Sequence, residues 1–300
     1  MKRALIWLAA TAATGLTWGV IENRRFVLRH QTIPALAHGT PASLRVLHLS
    51  DLHLKPGDRR MARFVRRTLA LGPDLVIVTG DILGHPGAID AAVDLLADVI
   101  EGRQGIAVLG SNDRFGPTFK NPLRYFRGPS DSVEGVRLDT DRLVVGLKES
   151  GWYVLCNERA GVQTPAGLID VVGLDDPHIG AADPAQVDWS PPEVPPPLRL
   201  GVVHAPYLSI LDQYAVAGFD LTLAGHTHGG QVRVPVIGAL VDNCDLPLRM
   251  ARGLSRYTER MWLHVSAGLG TSMFAPVRFA CRPEASVLDL VPRRTDATDL

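Results

Sequence analysis

The sequence predicts an α/β fold, on three observations. Five short runs dominated by Val, Ile, Leu and Ala end in turns of polar residues: 45–49 (RVLHL), 75–78 (LVIV), 106–109 (IAVL), 198–203 (LRLGVV) and 221–224 (LTLA). Runs that are apolar at nearly every position suit strands buried on both faces. Helical patterns with apolar residues at 3.6 spacing lie at 59–70 and 88–100, each after a Gly or Pro break. Such strand-helix alternation predicts a largely parallel sheet.

With 300 residues, 46% of them apolar, the chain can bury a sizeable core as one large domain or two small ones. The 31 Lys and Arg balance 31 Asp and Glu, so no nucleic-acid partner is expected and any anion must be held locally. Cys156, Cys244 and Cys281 are far apart with no CxxC, which reads as free thiols rather than a disulfide framework or a thiolate zinc site.

Taken in order, residues 4–21 carry no charge and follow Lys2 and Arg3. Their length is at the short end of the roughly 17–25 residues that cross a bilayer and exceeds the ~7–15 of a signal-peptide core. Residues 1–22 are therefore expected to be a membrane anchor or signal segment, with retention at the cell membrane favoured over cleavage and a core helix as the alternative. Basic residues flank both ends (Lys2 and Arg3; Arg24, Arg25 and Arg29), which leaves open the side on which the following domain would lie. Residues 23–43 connect to a domain at 44–292, and 293–300 form a charged, frayed tail. On the 59–70 helix, Arg59, Arg60, Arg63, Arg66 and Arg67 oppose Met61, Phe64, Val65 and Leu69; this is a solvated face or a basic face for anionic headgroups. A proline-rich stretch at 183–197 predicts a stiff loop between two halves of one domain. Further strands are expected at 262–266 and 285–290.

The polar strand ends hold the chemistry. At 223–231 (LAGHTHGGQ), His226 and His228 sit two residues apart, which in extended backbone points them the same way. Gly225, Gly229 and Gly230 supply the positive φ and close approach that a metal-wrapping loop needs. With Asp51, His53, Asp81, Asn112 and His204 at the other strand ends, the donors are oxygen and nitrogen without sulfur, suited to Mn, Fe or Zn more than to Ca. They are too many for one ion. Two divalent ions about 3.5–4 Å apart can share a carboxylate and hold a hydroxide for in-line attack on phosphorus.

SDLHL (50–54), VTGD (78–81), GSND (110–113), VVHAP (202–206) and AGHTHGGQ (224–231), in that order, resemble the calcineurin-like metallophosphoesterases. The resemblance covers most of the chain after about residue 44. GLDDPH (173–178), SAGLGTS (266–272), RPEASVLDL (282–290) and the N-terminal stretch are similar to the membrane-associated bacterial branch. It implies a four-layer α-β-β-α sandwich of two mixed β-sheets in place of a single parallel sheet, and a metal-dependent phosphoric ester hydrolase. It also implies Asp51, His53 and His228 on one metal and His204 and His226 on the other, with Asp81 bridging.

One motif departs from the pattern. The family usually reads Gly-Asn-His-Asp, with Asn on the second metal and His protonating the leaving group or stabilising phosphoryl oxygens; here it is Gly110-Ser111-Asn112-Asp113. Without a gap, Ser111 takes the ligand place; slipped by one, Asn112 keeps it and Asp113 follows. Asn112 is preferred because an amide oxygen is a better donor than a neutral hydroxyl, although the strand register favours the ungapped pairing. Either way the motif's imidazole is missing, and general acid help typically contributes ~10²–10⁴-fold. His178 and His85 are candidate replacements, with Asp175 and Asp176 of the same status. Asp242 and Asp245 read as loop residues, and Arg278 as a phosphate contact or a structural ion pair. Asp81, Asn112, Asp113 and His178 are thus the expected catalytic residues. The expected reaction is hydrolysis of phosphodiester or pyrophosphate bonds, on lipid-linked substrates if the anchor holds the chain at a membrane. A phosphomonoesterase or phosphoprotein phosphatase is the alternative enzyme, and a catalytically decayed metal-binding scaffold the alternative of another class.

Overall fold

The structure, a computed structural model, describes residues 2–118 and 135–294. Most of the expected frayed tail, 295–300, lies outside the described residues. The chain opens with α1 (Lys2–Glu22) and β1 (Val27–Leu36). A βαβαβ run follows through β2 (Leu44–Leu49), α2 (Arg59–Thr68), β3 (Leu75–Thr79), α3 (Ile89–Ile100) and β4 (Gln104–Val108). After α4 (Thr140–Glu149) come β5 (Trp152–Val154), β6 (Glu158–Thr164), β7 (Gly167–Gly173) and β8 (Arg199–Val202). Helix α5 (Leu208–Val216) leads to β9 (Leu221–Ala224) and a small hairpin, β10 (Arg233–Val234) and β11 (Gly238–Ala239). The chain ends with β12 (Gly253–Arg256), β13 (Trp262–Val265) and β14 (Glu284–Pro292).

Two six-stranded sheets form, in the orders β1-β14-β2-β3-β4-β5 and β12-β13-β9-β8-β7-β6. The expected parallel runs are present, β2 to β5 in one sheet and β13-β9-β8-β7 in the other. A single parallel sheet is not: β14 pairs antiparallel with β2, β6 with β7 and β12 with β13. Strands β6 and β12 form the edges of the second sheet, while β14 lies between β1 and β2; antiparallel neighbours need no crossover helix.

Alternation along each strand builds three core layers. In β2, β3 and β4, Val46, Ile77 and Ile106 point into the seam between the sheets, against Val171, Val202 and Leu223. Leu47, Val76 and Ala107 face the other way, onto Met61, Val65, Leu96 and Leu147 of the covering helices. The second sheet buries Val172 and Leu263 under Ile210, Leu211 and Tyr214 of α5. The result is the four-layer α-β-β-α sandwich. Helix α2 starts where the Asp58 side chain accepts from Met61 N at 3.2 Å, a usual N-cap contact. It buries Met61 and Val65, while Arg66 pairs with Asp98 on its outer side.

The loop at 183–197 corrects one expectation. It connects β7 and β8, which are adjacent strands of the same sheet, so it is a crossover rather than a divider between halves. Among the described residues no helix is long and apolar enough to cross a membrane. The last turn of α1 is fixed to the domain: Gly19 O accepts from Arg278 N at 3.0 Å, and buried Glu22 accepts from Cys281 N at 2.7 Å.

Two histidines lie in the seam itself. His48 and His264 are buried with Nδ1 facing Nδ1 at 2.9 Å, so one donates and the other must be unprotonated there. Burial, then the partner's charge, pushes His48 well below its ordinary value, and burial pushes His264 down to about 4. A histidine depressed in the folded state stabilises above its unfolded pKa and loses that contribution as pH falls. For His264 the window runs from about pH 6.5 down through 4 and is worth on the order of 3 kcal/mol. Stability in urea is expected to decline across that window, and the His48→Leu/His264→Leu double variant to decline less steeply; equal slopes would contradict this.

Candidate metal centre

Parallel strands bring their carboxyl ends to one edge, and the two sheets set those edges face to face. The loops after β2 and β3 run on as a ladder beyond the strands: Asp51 N donates to Gly80 O at 3.0 Å, His53 N to Asp81 O at 2.9 Å and Leu54 N to Ile82 O at 2.9 Å. In the second sheet Gly225 N donates to His204 O at 2.9 Å. The turn after β13 stitches the sheets together, with Leu269 N on Ser50 O at 3.0 Å and Gly270 N on Asp51 O at 2.6 Å.

Five of the expected donors have left-handed backbone: Asp51 (φ 47°), His53 (44°), Asp81 (51°), His226 (66°) and His228 (48°). For non-glycine residues this costs of order 1–3 kcal/mol each and persists where the surroundings over-determine it. Gly229 and Gly230 have positive φ as expected, but Gly225 does not. Its role is close approach, since a Cβ there would overlap Ser50 Oγ and meet Asp51 Oδ2 at 2.6 Å.

All seven expected ligand residues converge. Among the described residues two groups place their donor atoms within 4.8 Å of one another, Asp51 with His53 and His228, and Asp51 with Asp81 and His204. His53 Nε2 lies 3.4 Å from His228 Nε2, and His226 Nδ1 lies 3.3 Å from His204 Nε2. Asp81 faces both sides, Oδ2 toward His53 Nε2 and Oδ1 toward His204 Nε2, each at 3.5 Å. His204 Nδ1 is 2.7 Å from Thr79 O. A carbonyl can only accept, so Nδ1 carries a proton and Nε2 is the ring atom turned to the centre.

The electrostatics fit a cation. Burial opposes charge on His204, yet the carboxylates of Asp81, Asp176 and Asp51 outweigh it and raise the ring to about 10. Burial likewise opposes charge on Asp81, and His204 and His53 hold it well below the carboxylate range. His226 and His228 are pushed well below their ordinary values, chiefly by burial. Neutral rings beside ionised carboxylates, with nitrogen atoms facing each other, are a donor set suited to divalent metal rather than to internal ion pairs.

The GSND turn places Asn112, not Ser111, against the bridging candidate: Asn112 N donates to Asp81 Oδ1 at 2.8 Å and Nδ2 to Oδ2 at 2.6 Å. Asp113 is a brace. Its two oxygens accept from Leu83 N and Gly110 N, each at 2.9 Å, and burial followed by the Asp81 charge pushes it up to about 7. His178 reaches the site, its ring 4.5 Å from that of His226 and its Nδ1 2.9 Å from Tyr207 Oη. His85 does not; it is exposed and caps a turn by accepting from Gly87 N at 3.0 Å. Asp175 pairs with Arg114, whereas Asp176 is fully buried and accepts from His178 N at 2.8 Å. Arg278 is neither a phosphate contact nor an ion pair. It is fully buried, with Nη2 donating at 2.7 Å to both Ala267 O and Gly270 O. Those bonds consume both Nη2 protons, so its 3.3 Å approach to His228 Nδ1 is packing and leaves that tautomer free.

Two features lack a motif. A buried chain runs from His264 through His48, Thr79 and Ser50 to Asp51, with steps of 2.9, 2.9, 2.6 and 2.6 Å. An ionised Asp51 can only accept, which orients every donor along the chain toward it. The signal in sequence is a histidine and a threonine on otherwise apolar strands. The other is Asn243, between Asp242 and Asp245, whose carbonyl lies 3.2 Å from His226 Nε2. Asp242 and Asp245 instead hold backbone N–H groups of Cys244 and Leu208.

Comparison with known proteins agrees with this centre. The model of the calcineurin-like phosphoesterase family matches residues 44–230. The chain is 30% identical to Phosphodiesterase YaeI of Escherichia coli (strain K12), over 97% of this chain and 98% of that protein. It is 28% identical to the metallophosphoesterase YkoQ of Bacillus subtilis (strain 168), over 83% and 84% of the two chains. It is 25% identical to the metallophosphoesterase YkuE of the same organism, over 90% and 86%. The chain belongs to the calcineurin-like phosphoesterases and is a metal-dependent phosphoric ester hydrolase.

Proposed function

We propose that the chain hydrolyses phosphodiester or pyrophosphate bonds at a dinuclear centre. The observation that carries this is the Asp81 carboxylate, which turns one oxygen toward His53 and the other toward His204. Asp51, His53 and His228 would hold one ion and Asn112, His204 and His226 the other, with Asp81 between them. Mn, Fe and Zn all suit such nitrogen and oxygen donors. Divalent ions there would polarise phosphoryl oxygens and lower the pKa of water.

The chain's own groups do the positioning. Thr79 O fixes the His204 ring, and Ser50 Oγ, at 2.6 Å from Asp51 Oδ2, fixes that carboxylate. His178, half-buried beside His226 and hydrogen-bonded to Tyr207, is the group placed to give a proton to a leaving oxygen. The missing imidazole in GSND favours leaving groups that need little protonation, such as phosphorylated or aryl ones. Similarity along nearly the whole chain to a protein named a phosphodiesterase supports the same choice. A lipid-linked substrate would follow only from retention at a membrane through residues 1–22.

Three measurements test this reading. The Mn²⁺-loaded chain is expected to turn over bis-p-nitrophenyl phosphate faster than p-nitrophenyl phosphate, with Asp81→Asn at background on both; a monoester preference would move the assignment to phosphomonoesterase. His178→Ala is expected to slow an alkyl phosphodiester by ~10²–10⁴-fold while sparing the aryl diester, and equal effects on both would remove His178 from the proton role. Ser50→Ala is expected to weaken metal binding by ~10–100-fold, the usual consequence of losing a partner that orients a ligand. An unchanged titration would show that Ser50 does not position Asp51.

A further inference from the structure

Away from the metal donors, the foot of α1 holds a cavity of about 230 Å³ lined by Trp18, Glu22, Arg25, Arg29, Arg252 and Arg282. Four guanidiniums around one small space repel one another unless negative charge lies among them. Two carboxylates are near, and both are engaged. Glu22 accepts from Trp18 Nε1 at 2.8 Å and from Cys281 N at 2.7 Å. Glu284 is shared between Arg29 and Arg252 and also accepts from Ala267 N at 3.2 Å. Among the described residues neither Arg25 nor Arg282 has a carboxylate at ion-pair distance.

These two arginines are nevertheless held in place. Arg282 donates from Nε to Arg25 O at 2.8 Å and from Nη2 to Phe26 O at 3.3 Å. The Arg25 guanidinium lies 5.5 Å from the centroid of the Trp18 ring, a cation-π distance. Burial, then the charges of Arg25 and Arg29, hold Arg282 below its ordinary value. The space is smaller than the ~300–1,000 Å³ of pockets for drug-sized ligands, so it suits a single compact anionic group. Guanidinium forks match phosphate oxygens in geometry as well as charge.

We propose that this cavity binds a phosphate-bearing anion between Arg25, Arg29 and Arg282, against the Trp18 ring and apart from the metal centre. Cys281 separates the two sites, its N held by Glu22 and its Sγ 3.3 Å from His228 O. A soluble phosphate compound and the headgroup of an anionic lipid carry the same group, and binding measurements separate them.

Trp18 lines the cavity and reports its occupancy. The full, Mn²⁺-loaded chain is titrated with inorganic phosphate, and separately with phosphatidylglycerol vesicles and phosphatidylcholine vesicles, with emission of the Trp18→Phe variant subtracted. Phosphate is expected to give a saturable Trp18 signal. It should weaken about tenfold or more in Arg25→Gln, as for loss of a charge-assisted contact, and survive in Asp81→Asn, whose change lies in the metal centre. The Arg25 guanidinium makes no hydrogen bond among the described residues, so Arg25→Gln should melt at the wild-type temperature. Phosphatidylglycerol binding that is tighter than phosphate, absent for phosphatidylcholine and equally dependent on Arg25 identifies a lipid headgroup; a response to phosphate without one to vesicles identifies a soluble ligand. No Trp18 signal from either source, or one unchanged by Arg25→Gln, overturns the proposal.

Discussion

The carboxylate of Asp81 sits where the two sheets meet, one oxygen toward a histidine of the first sheet's loops and the other toward a histidine of the second. Everything around it serves that placement. The sheets have to approach closely enough for loops from β2, β3, β4, β8 and β9 to share one small volume, which requires a seam of branched aliphatic side chains behind it. It also requires glycine where backbone meets side chain, as at Gly225 against Ser50 and Asp51. Burying that much charge without a countercharge is unfavourable, and the raised His204 shows where positive charge is demanded.

The strain at the donors follows from the same constraint. Five ligand residues in left-handed backbone would, at of order 1–3 kcal/mol each, consume much of the stability of a domain. The ladder between the 50–54 and 80–84 loops and the stitches from Leu269 and Gly270 over-determine that backbone. The fold itself thus holds the donors in place, which lowers the cost of ordering loops around an ion. The polar chain from His264 to Asp51 extends this preorganisation into the seam.

Much of this is legible in sequence because ligand residues stand next to strand ends and glycines, and their order is fixed by topology. Asp51, His53, Asp81, His204, His226 and His228 stand out from local pattern, and the structure brings them together. What escaped has physical reasons. Strand β14, inserted antiparallel between β1 and β2, looks in sequence like any other apolar run, which points to a single parallel sheet. Apolar composition at residues 4–21 does not reveal that Gly19 and Glu22 are tied to the 278–281 segment. Asn243 acts through its main-chain carbonyl, which any residue could supply, and Asp113 spends its carboxylate on backbone N–H groups although its motif suggested chemistry. Positive φ is expected at glycines such as Gly229 and Gly230, but five ligand residues carry it as well.

The central claim is that one carboxylate joins two metal positions. Equilibrium titration of the metal-free chain with Mn²⁺, read as bound ions per chain, tests it most directly. The account predicts two ions in the wild-type chain and loss of at least one in Asp81→Asn with the fold retained. One ion in the wild type, or the same stoichiometry in both proteins, would contradict it.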